Sequence, residues 1–280
     1  MTNDYGNLEL HKVLLSAMKD IDKICCENGI RYYLHAGTLL GAINHKGFIP
    51  WDDDVDISMR REDYEKFVRI IAEDYSDKYS LRNYETDSTY PNNRAKLGIK
   101  GTGFIYDDGR EEMLFIDIIP LYYLPKSEKR KRLQKKLIET IDAINNIKLL
   151  GAVPTSAVSK LVLKPLSLLP RKFWGRVMDK IMIKWQDKSS GEIGVLCYVG
   201  FNYAGISGYD DDRWPIEWYE ETAMYEFEDT EFMSVKDWDS ILRKKYGDKF
   251  MEPYPEEKRV TKHAVKEMYI SEEVRERLSM

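Results

Sequence analysis

The chain has 280 residues, 43% of them hydrophobic and 12% aromatic, a composition that excludes a disordered protein. Its net charge of −5, without a recognisable nucleic-acid-binding module, argues against a nucleic-acid partner. Three cysteines form no disulfide framework, and no apolar run approaches the roughly 20 residues of a membrane span, so with no signal-peptide pattern we expect a cytoplasmic protein.

The first half of the chain predicts alternating helices and strands. Apolar residues recur at helical spacing near the start, and polar and apolar residues alternate further on. In chain order we predict a helix over 8–25 ended by Gly29, a strand over 30–36, a short helix to Ile43 and a loop over 44–53. A strand over 54–59 and a helix over 61–75 follow. In that strand we expect Val55, Ile57 and Met59 to face the core and Ser58 to face away.

The second half predicts shorter strands and a helical middle region. We expect strands over 95–100 and 102–106 joined through Gly101, a strand over 115–119 ended by Pro120, two or three helices within 127–188 with breaks near 151–154 and 165–170, and a helix to Tyr246 opened by a capping box at Ser234–Asp237.

The middle region is strongly basic. Residues 126–188 hold sixteen Lys and Arg against five Asp and Glu. Together with the apolar residues of 157–169, this pattern is typical of a helix that rests on an anionic membrane. On this interpretation residues 126–172 would contact the inner membrane surface. An ordinary surface helix beside a core helix would give the same pattern, so both interpretations stay open.

The most informative residues are the acidic ones around the strand predicted at 54–59. Asp54 and Asp56 are two apart, so on a strand both side chains leave the same face. Two carboxylates that close repel each other unless a hard cation such as Mg²⁺, or Mn²⁺, lies between them. Gly37 and Thr38, just upstream, are the small and hydroxyl residues that a phosphate-binding turn needs.

Two simpler explanations of the acidic run are less consistent with the sequence. A solvated acidic turn would not continue into an alternating strand that carries Asp56. A calcium loop of the EF-hand type would need glycine where Ile57 stands and glutamate where Asp63 stands. The pattern therefore favours the metal pair of a nucleotidyl- or phosphotransferase.

Asp117 is the candidate third carboxylate. It stands between apolar residues in the strand predicted at 115–119, where a charge is costly unless it serves a metal or a substrate hydroxyl. An inward polar residue compensated by a nearby lysine is the alternative.

The stretch from Gly37 to Asp56, with His45-Lys-Gly-Phe-Ile-Pro-Trp-Asp-Asp-Asp-Val-Asp at its centre, resembles the signature of the LicD family. Asn44 departs from it, because the family usually carries arginine there. The segment from Tyr246 to His263 is also similar to the family's ending. The resemblance covers about residues 8–263 and is weak in the basic middle.

The resemblance implies an α+β, nucleotidyltransferase-like fold: a small mixed sheet flanked by helices. It implies a magnesium ion held by Asp54, Asp56 and Asp117. The donors would be CDP-activated choline, glycerol or ribitol. The acceptors would be hydroxyls of a surface glycan, a lipid-linked glycan or a teichoic acid precursor.

Several cationic residues are candidates for binding the donor phosphates. They are Arg94, Lys96, Arg259 and His263, and His45 of the signature loop could shape the site. Arg94 and Lys96 could equally form an exposed strand edge, and a lone histidine such as His263 is often structural.

These observations predict three regions: a catalytic core over 1–125, a basic helical region over 126–190, and an aromatic, turn-rich segment over 191–280 that completes the site. The expected activity is transfer of a phospho-alcohol with release of CMP. The alternatives are a nucleotidyltransferase that releases pyrophosphate and a catalytically silent relative that binds membrane or glycan.

Overall fold

The computed structural model of the chain describes residues 5–90, 92–149, 157–196, 209–259 and 265–280. The chain divides into two compact units, each drawn from separate stretches of sequence. Unit 1 takes residues from 1–81, 96–119 and 218–280, and unit 2 takes residues from 82–95 and 120–217. The break predicted near 151–154 lies outside the described residues.

The described residues form both helices and strands. The helices are α1 (Leu8–Asn28), α2 (Ala36–His45), α3 (Arg61–Asp74), α4 (Glu128–Leu149), α5 (Ala157–Leu166), α6 (Arg171–Lys184), α7 (Trp238–Tyr246) and α8 (Glu272–Arg277). The strands are β1 (Tyr32–Leu34), β2 (Asp56–Arg60), β3 (Tyr79–Arg82), β4 (Ala95–Ile99), β5 (Thr102–Tyr106), β6 (Glu111–Glu112), β7 (Phe115–Tyr123), β8 (Glu192–Gly194), β9 (Arg213–Pro215), β10 (Thr222–Phe227), β11 (Thr230–Val235) and β12 (Val265–Ile270). The predicted α+β fold with a mixed sheet is confirmed.

Helix α1 opens unit 1 and stops at the predicted glycine. Its apolar face is buried and comprises Leu10, Val13, Leu14, Ala17, Met18, Ile21, Ile24 and Cys25. Gly29 has a left-handed φ of 61°, and its N–H donates to the end of the helix. Because this conformation costs a residue with a Cβ more than it costs glycine, the helix ends here.

The main sheet of unit 1 has the strand order β1-β2-β7-β4-β3. Strands β1 and β2 are antiparallel, with Tyr32 opposite Met59 and Leu34 opposite Ile57. A second sheet has the order β12-β5-β6, and β10 and β11 form a hairpin. Strand β2 is therefore an interior strand between β1 and β7, and the acidic run leads directly into it.

Strand β2 starts later than the sequence predicts. It begins at Asp56, so Asp54 belongs to the preceding loop. Ser58, expected to face away from the core, is fully buried. The reason is that β2 has a strand on each side and helices α2 and α3 packed against it, which simple alternation does not reveal.

The prediction that Pro120 ends the strand at 115–119 is wrong. Strand β7 continues through the proline to Tyr123, and all nine of its residues are buried. Proline lacks only the N–H donor, and its fixed φ is compatible with extended backbone, so a strand tolerates it where no ladder bond needs that donor. Beyond it, in unit 2, Tyr122 pairs with Gly194 and Tyr123 with Ile193 of β8.

Helix α7 also starts later than predicted. Ser234 lies in β11, opposite Ala223, and its hydroxyl donates to the Leu34 carbonyl at 3.3 Å. Asp237 caps the helix instead by accepting from the N–H of Ser240, and the predicted end at Tyr246 is confirmed. Ser234 is therefore part of the β10–β11 hairpin, although the local sequence predicts that it caps a helix.

Unit 2 consists of α4, α5 and α6 together with short strands. Helix α5 ends at Leu166 and α6 begins at Arg171, which confirms the predicted break near 165–170. A buried polar network joins its parts: Arg171 donates to the carbonyl of Tyr90 at 3.0 Å and to Asn93 at 2.8 Å. Asn93 in turn donates to Asp179 at 2.9 Å. Among the described helices, none is long and apolar enough to cross a membrane.

Candidate functional site

The turn from β1 into α2 brings the backbone against a carboxylate. Ala36 has a φ of 45°, which is uncommon for a residue with a Cβ and is found disproportionately at functional sites. At the next position, a Cβ on Gly37 would lie 2.7 Å from Oδ2 of Asp52. Glycine at this position therefore lets the chain pass close to the carboxylate without displacing it.

Thr38 fixes the first residue of β2. Its hydroxyl accepts a hydrogen bond from the N–H of Asp56 at 2.9 Å, and the N–H of His35 donates to the Asp56 carbonyl at 3.0 Å. Both backbone groups of Asp56 are thus held by the β1–α2 turn. Thr38 is buried, so its contact with Asp56 is shielded from water.

The run Asp52–Asp54 forms a compact carboxylate cluster. Among the described residues, these three offer oxygens that all lie within 4.8 Å of one another. Asp52 and Asp53 are each 5% exposed, and Asp54 is half-buried. Buried carboxylates at this spacing are costly unless a cation neutralises them, and an all-oxygen donor set suits a hard ion such as Mg²⁺. The residues present therefore fit the predicted metal.

The cluster overlaps the predicted metal set only at Asp54. Asp56 is the first residue of β2, and Asp117 is buried in the neighbouring strand β7. The N–H of Asp117 donates to the carbonyl of Val55 at 2.9 Å, so its backbone lies beside the residue between Asp54 and Asp56. Asp52 and Asp53, which the sequence suggested only as a possible acidic turn, join the candidate site.

Helix α1 holds the acidic loop from one side. The side-chain amide of Asn7 donates to the carbonyls of Pro50 and Asp52 at 3.2 and 3.3 Å. Nε2 of His11 lies 2.8 Å from the same Asp52 carbonyl, and its ring stacks on Phe48 at 4.1 Å. Because a carbonyl only accepts, His11 donates through Nε2. No sequence signal links these residues to a loop more than 40 positions away.

The β10–β11 turn holds the loop from another side. The N–H of Phe48 donates to the carboxylate of Glu228 at 3.0 Å, and the N–H of Glu228 donates to the Lys46 carbonyl at 2.7 Å. A Cβ on Gly47 would lie 2.1 Å from the same carboxylate. Because Gly47 of the signature has no side chain, the Glu228 carboxylate can occupy this space.

Two of the predicted binding residues meet at Trp51. The Arg259 guanidinium lies 5.1 Å from the centre of the Trp51 ring, and the His45 ring contacts it edge-on at 5.9 Å. Tyr254 stacks on the same ring at 6.0 Å and accepts a hydrogen bond from Arg259 through its carbonyl. Burial, and then the charge of Arg259, lower the pKa of His45. His45 is therefore biased towards its neutral form.

The other cationic candidates have different surroundings. Lys96 is mostly buried, forms an ion pair with Glu112 at 3.1 Å, and lies 3.3 Å above the Phe115 ring. Arg94 is half-buried directly before β4 and belongs to unit 2. His263 lies outside the described residues. Asn44 donates to the Phe250 carbonyl at 3.1 Å, so it ties the signature helix to the C-terminal segment.

Tyr106 on β5 is a neighbour of the acidic cluster that sequence reasoning missed. Burial raises its pKa, and the charges of Glu112 and then Asp53 raise it further. Its hydroxyl lies 3.1 Å from Glu112. Asp53 therefore lies within electrostatic reach of β5, although nothing in the local pattern of either segment indicates it.

The chain is similar in sequence to a described family and to several known proteins. Residues 29–139 match the family model described as LicD/FKTN/FKRP, nucleotidyltransferase domain. The lipopolysaccharide cholinephosphotransferase LicD of Haemophilus influenzae is 28% identical over 271 residues, covering 94% of this chain and 97% of that protein. The ribitol 5-phosphate transferase FKRP of Homo sapiens is 31% identical over 96 residues, 34% of this chain and 17% of that protein. An uncharacterized protein of Rickettsia prowazekii is 48% identical over 60 residues, 21% of this chain and 23% of that protein.

Proposed function

We propose that this chain, in which residues 29–139 form a LicD-family nucleotidyltransferase domain, transfers a phospho-alcohol from a CDP-activated donor to a glycan hydroxyl and releases CMP. The observation that carries the proposal is the cluster Asp52–Asp54 against the close turn at Gly37. The related transferases named for choline phosphate and ribitol 5-phosphate support the choice of a phospho-alcohol. A teichoic acid precursor or another surface glycan is the proposed acceptor, and the cytoplasm the proposed location.

The proposed cofactor is Mg²⁺, with Mn²⁺ as a substitute. Asp54, Asp56 and Asp117 remain the proposed ligands, and the compactness of the cluster adds Asp52 and Asp53 to the candidates. When bound, the ion would neutralise the donor phosphates. Held by Thr38 through its N–H, Asp56 needs little reorganisation to present its carboxylate.

The chain's own residues supply positioning and charge. The backbone at Gly37 can approach a phosphate closely because it carries no side chain. Arg259 presents a planar guanidinium at Trp51, a geometry suited to a donor phosphate, and neutral His45 beside it adds no competing charge. In this scheme Asp117 accepts the proton of the attacking glycan hydroxyl. Positioning of this kind accounts for most of the catalysis expected in phosphoryl transfer.

The experiment that tests the proposal is calorimetric titration with CDP-choline, CDP-glycerol, CDP-ribitol and CTP, each with and without Mg²⁺. We expect magnesium-dependent binding of one CDP-alcohol, lost in Asp54→Asn. Asp229→Asn is the matched control, because Asp229 is an exposed acid paired with Lys19.

Product analysis then distinguishes the alternatives. Release of CMP with a glycan acceptor supports the proposal, whereas magnesium-dependent use of CTP with release of pyrophosphate would replace it by nucleotidyl transfer. Absence of binding to every nucleotide in the panel would favour a silent relative or a donor outside this panel. If Asp54→Asn kept both metal binding and turnover, the site assignment would be wrong.

A further inference from the structure

Helix α5, the start of α6 and the link between them expose several large apolar side chains. Leu161 is 79% exposed, Leu168 82% and Phe173 46%. We call these residues the apolar tip, together with their exposed neighbours Val162 and Leu169. Five exposed apolar side chains within thirteen residues differ from the single exposed residues found elsewhere on protein surfaces, and contiguous apolar exposure marks an interaction site.

The apolar tip is additional to the core of unit 2. Helix α6 already buries an inward face through Trp174, Met178 and Met182. Phe173 precedes Trp174 and is directed outward, so it does not belong to that face. The tip therefore has no apolar counterpart within the described part of unit 2.

Hydrogen bonds hold the tip in place. The indole N–H of Trp174 donates to the Leu166 carbonyl at 3.0 Å, which closes the link between the two helices. Lys148, at the end of α4, donates to the Leu169 carbonyl at 2.6 Å. The turn that carries Leu168 and Leu169 is therefore supported by the helices on either side of it and by α4.

The surroundings of the tip are positively charged. Residues 160–176 contain five Lys and Arg, of which Arg171 is buried, and no Asp or Glu. Lys164 on α5 is exposed, and so is Lys148, which donates to the Leu169 carbonyl. Lys172 and Arg176 are exposed as well, but both pair with Glu85, which offsets part of their charge. An apolar patch with a basic rim is complementary to the anionic headgroups and acyl chains of a membrane surface.

The geometry narrows the region that the sequence suggested for membrane contact. Gln134 donates to the carbonyls of Ile181 and Met182, near the end of α6 remote from Phe173. The basic run before residue 136 is also far from Lys148, which contacts the tip. At a rise of 1.5 Å per residue, the two are about 18 Å or more apart along α4. This run is not part of the tip.

We propose that the apolar tip inserts into the surface of an anionic membrane, with the basic rim on the lipid headgroups. The inference goes beyond the proposed function, because lipid binding at the tip requires neither the donor nor the metal. If the proposed function holds, insertion would bring the enzyme to a lipid-linked acceptor.

The test is co-sedimentation of the full chain with vesicles of phosphatidylglycerol or of phosphatidylcholine alone. We expect binding to the anionic vesicles and at least about tenfold weaker binding by the triple variant Leu161→Ser/Leu168→Ser/Phe173→Ser, since each inserted apolar side chain contributes favourably. The matched control Met224→Ser/Met251→Ser removes apolar residues of 53% and 55% exposure from unit 1 and should bind as the unaltered chain does. Lys164→Glu should weaken binding to anionic vesicles and reduce its salt dependence.

The outcomes separate this inference from the proposed function. Circular dichroism should show the triple variant folded, and its binding of the CDP donor should be unchanged. The inference is overturned if the unaltered chain ignores anionic vesicles, or if the triple variant binds them equally well. It is also overturned if the unaltered chain is a dimer that the triple variant dissociates, because a second copy would then cover the tip.

Discussion

Gly37 is a residue at which the backbone comes close to the acidic cluster. In Gly37→Ala the new Cβ would meet Oδ2 of Asp52 at 2.7 Å, so the carboxylate must move. Alanine is the better helix former by about 1 kcal/mol, which favours the fold. We therefore expect unchanged thermal stability but a loss of about tenfold or more in magnesium-dependent donor affinity, measured by calorimetry.

A second glycine in the same unit serves as the control for Gly37→Ala. In Gly98→Ala the nearest atom to the new Cβ would be Sδ of Met113 at 3.0 Å, a flexible side chain that can move aside. Donor affinity should stay within about twofold of the unaltered chain. Equal losses in the two variants would contradict a specific role for Gly37.

Asp142 on α4 gives unit 2 a dependence on pH. Burial raises the pKa of Asp142 to about 8, against the opposing charge of Arg171 and with a small addition from Glu139. Between its unfolded pKa of about 4 and this value the folded state keeps a proton that the unfolded state releases. Stability therefore falls as the pH rises through this window and levels off above it.

Asp142→Asn should remove this dependence, because asparagine is a neutral substitute at every pH. We expect the thermal midpoint of the variant to approach that of the unaltered chain near pH 5 and to exceed it near pH 8. The corresponding difference in the free energy of unfolding should be on the order of a few kcal/mol. If the thermal midpoints of the variant and the unaltered chain changed in parallel from pH 5 to 8.5, Asp142 would not titrate in this range.

At the scale of elements, α1 acts as a support for the acidic loop. Asn7→Ala removes the hydrogen bonds to the carbonyls of Pro50 and Asp52, which should cost about 1 kcal/mol each. We expect magnesium affinity to fall several-fold, because the loop carries the carboxylates. Asn28→Ala, at the other end of the helix, removes only a local bond to the Ile24 carbonyl and is the control. If Asn7→Ala kept the full magnesium affinity, the two Asn7 hydrogen bonds would have no part in the site.

The elements also show what can be predicted from sequence. Helix α1 with its stop at Gly29, and the pair β4 and β5 around Gly101, follow from local periodicity and turn chemistry alone. The continuation of β7 through Pro120 does not, because whether a strand accepts a proline depends on its neighbouring strands. Ser234 is mispredicted for a similar reason, since the β10–β11 ladder decides its position.

The candidate site likewise contains some residues that the sequence predicts and others that it does not. The acidic signature is local and was found from its spacing and resemblance. Its supports, Asn7, His11 and Glu228, come from distant parts of the chain and carry no periodic signal. Tertiary contacts decide such positions, and one sequence does not encode them in any readable pattern.

At the scale of the whole molecule, the two compact units should differ in their response to mutation. Met18 in unit 1 and Met178 in unit 2 are both fully buried, so each change to alanine should cost about 2–5 kcal/mol in its own unit. We expect calorimetry to show two thermal transitions, with Met18→Ala lowering one and Met178→Ala the other. Donor and Mg²⁺ should raise only the transition that Met18→Ala lowers. A single transition lowered equally by both variants would show that the units unfold together.

Unit 1 is assembled from stretches at both ends of the sequence, and this has a consequence for protein synthesis. A nascent chain that has cleared the ribosome as far as Asp56 carries the whole acidic signature but not Glu228, Phe250 or Arg259, which contact it. At ordinary translation rates those partners follow roughly 9–40 s later. A product truncated before residue 218 would therefore keep the signature yet lack these contacts, and searches for the motif in fragmentary genes would count it as an enzyme.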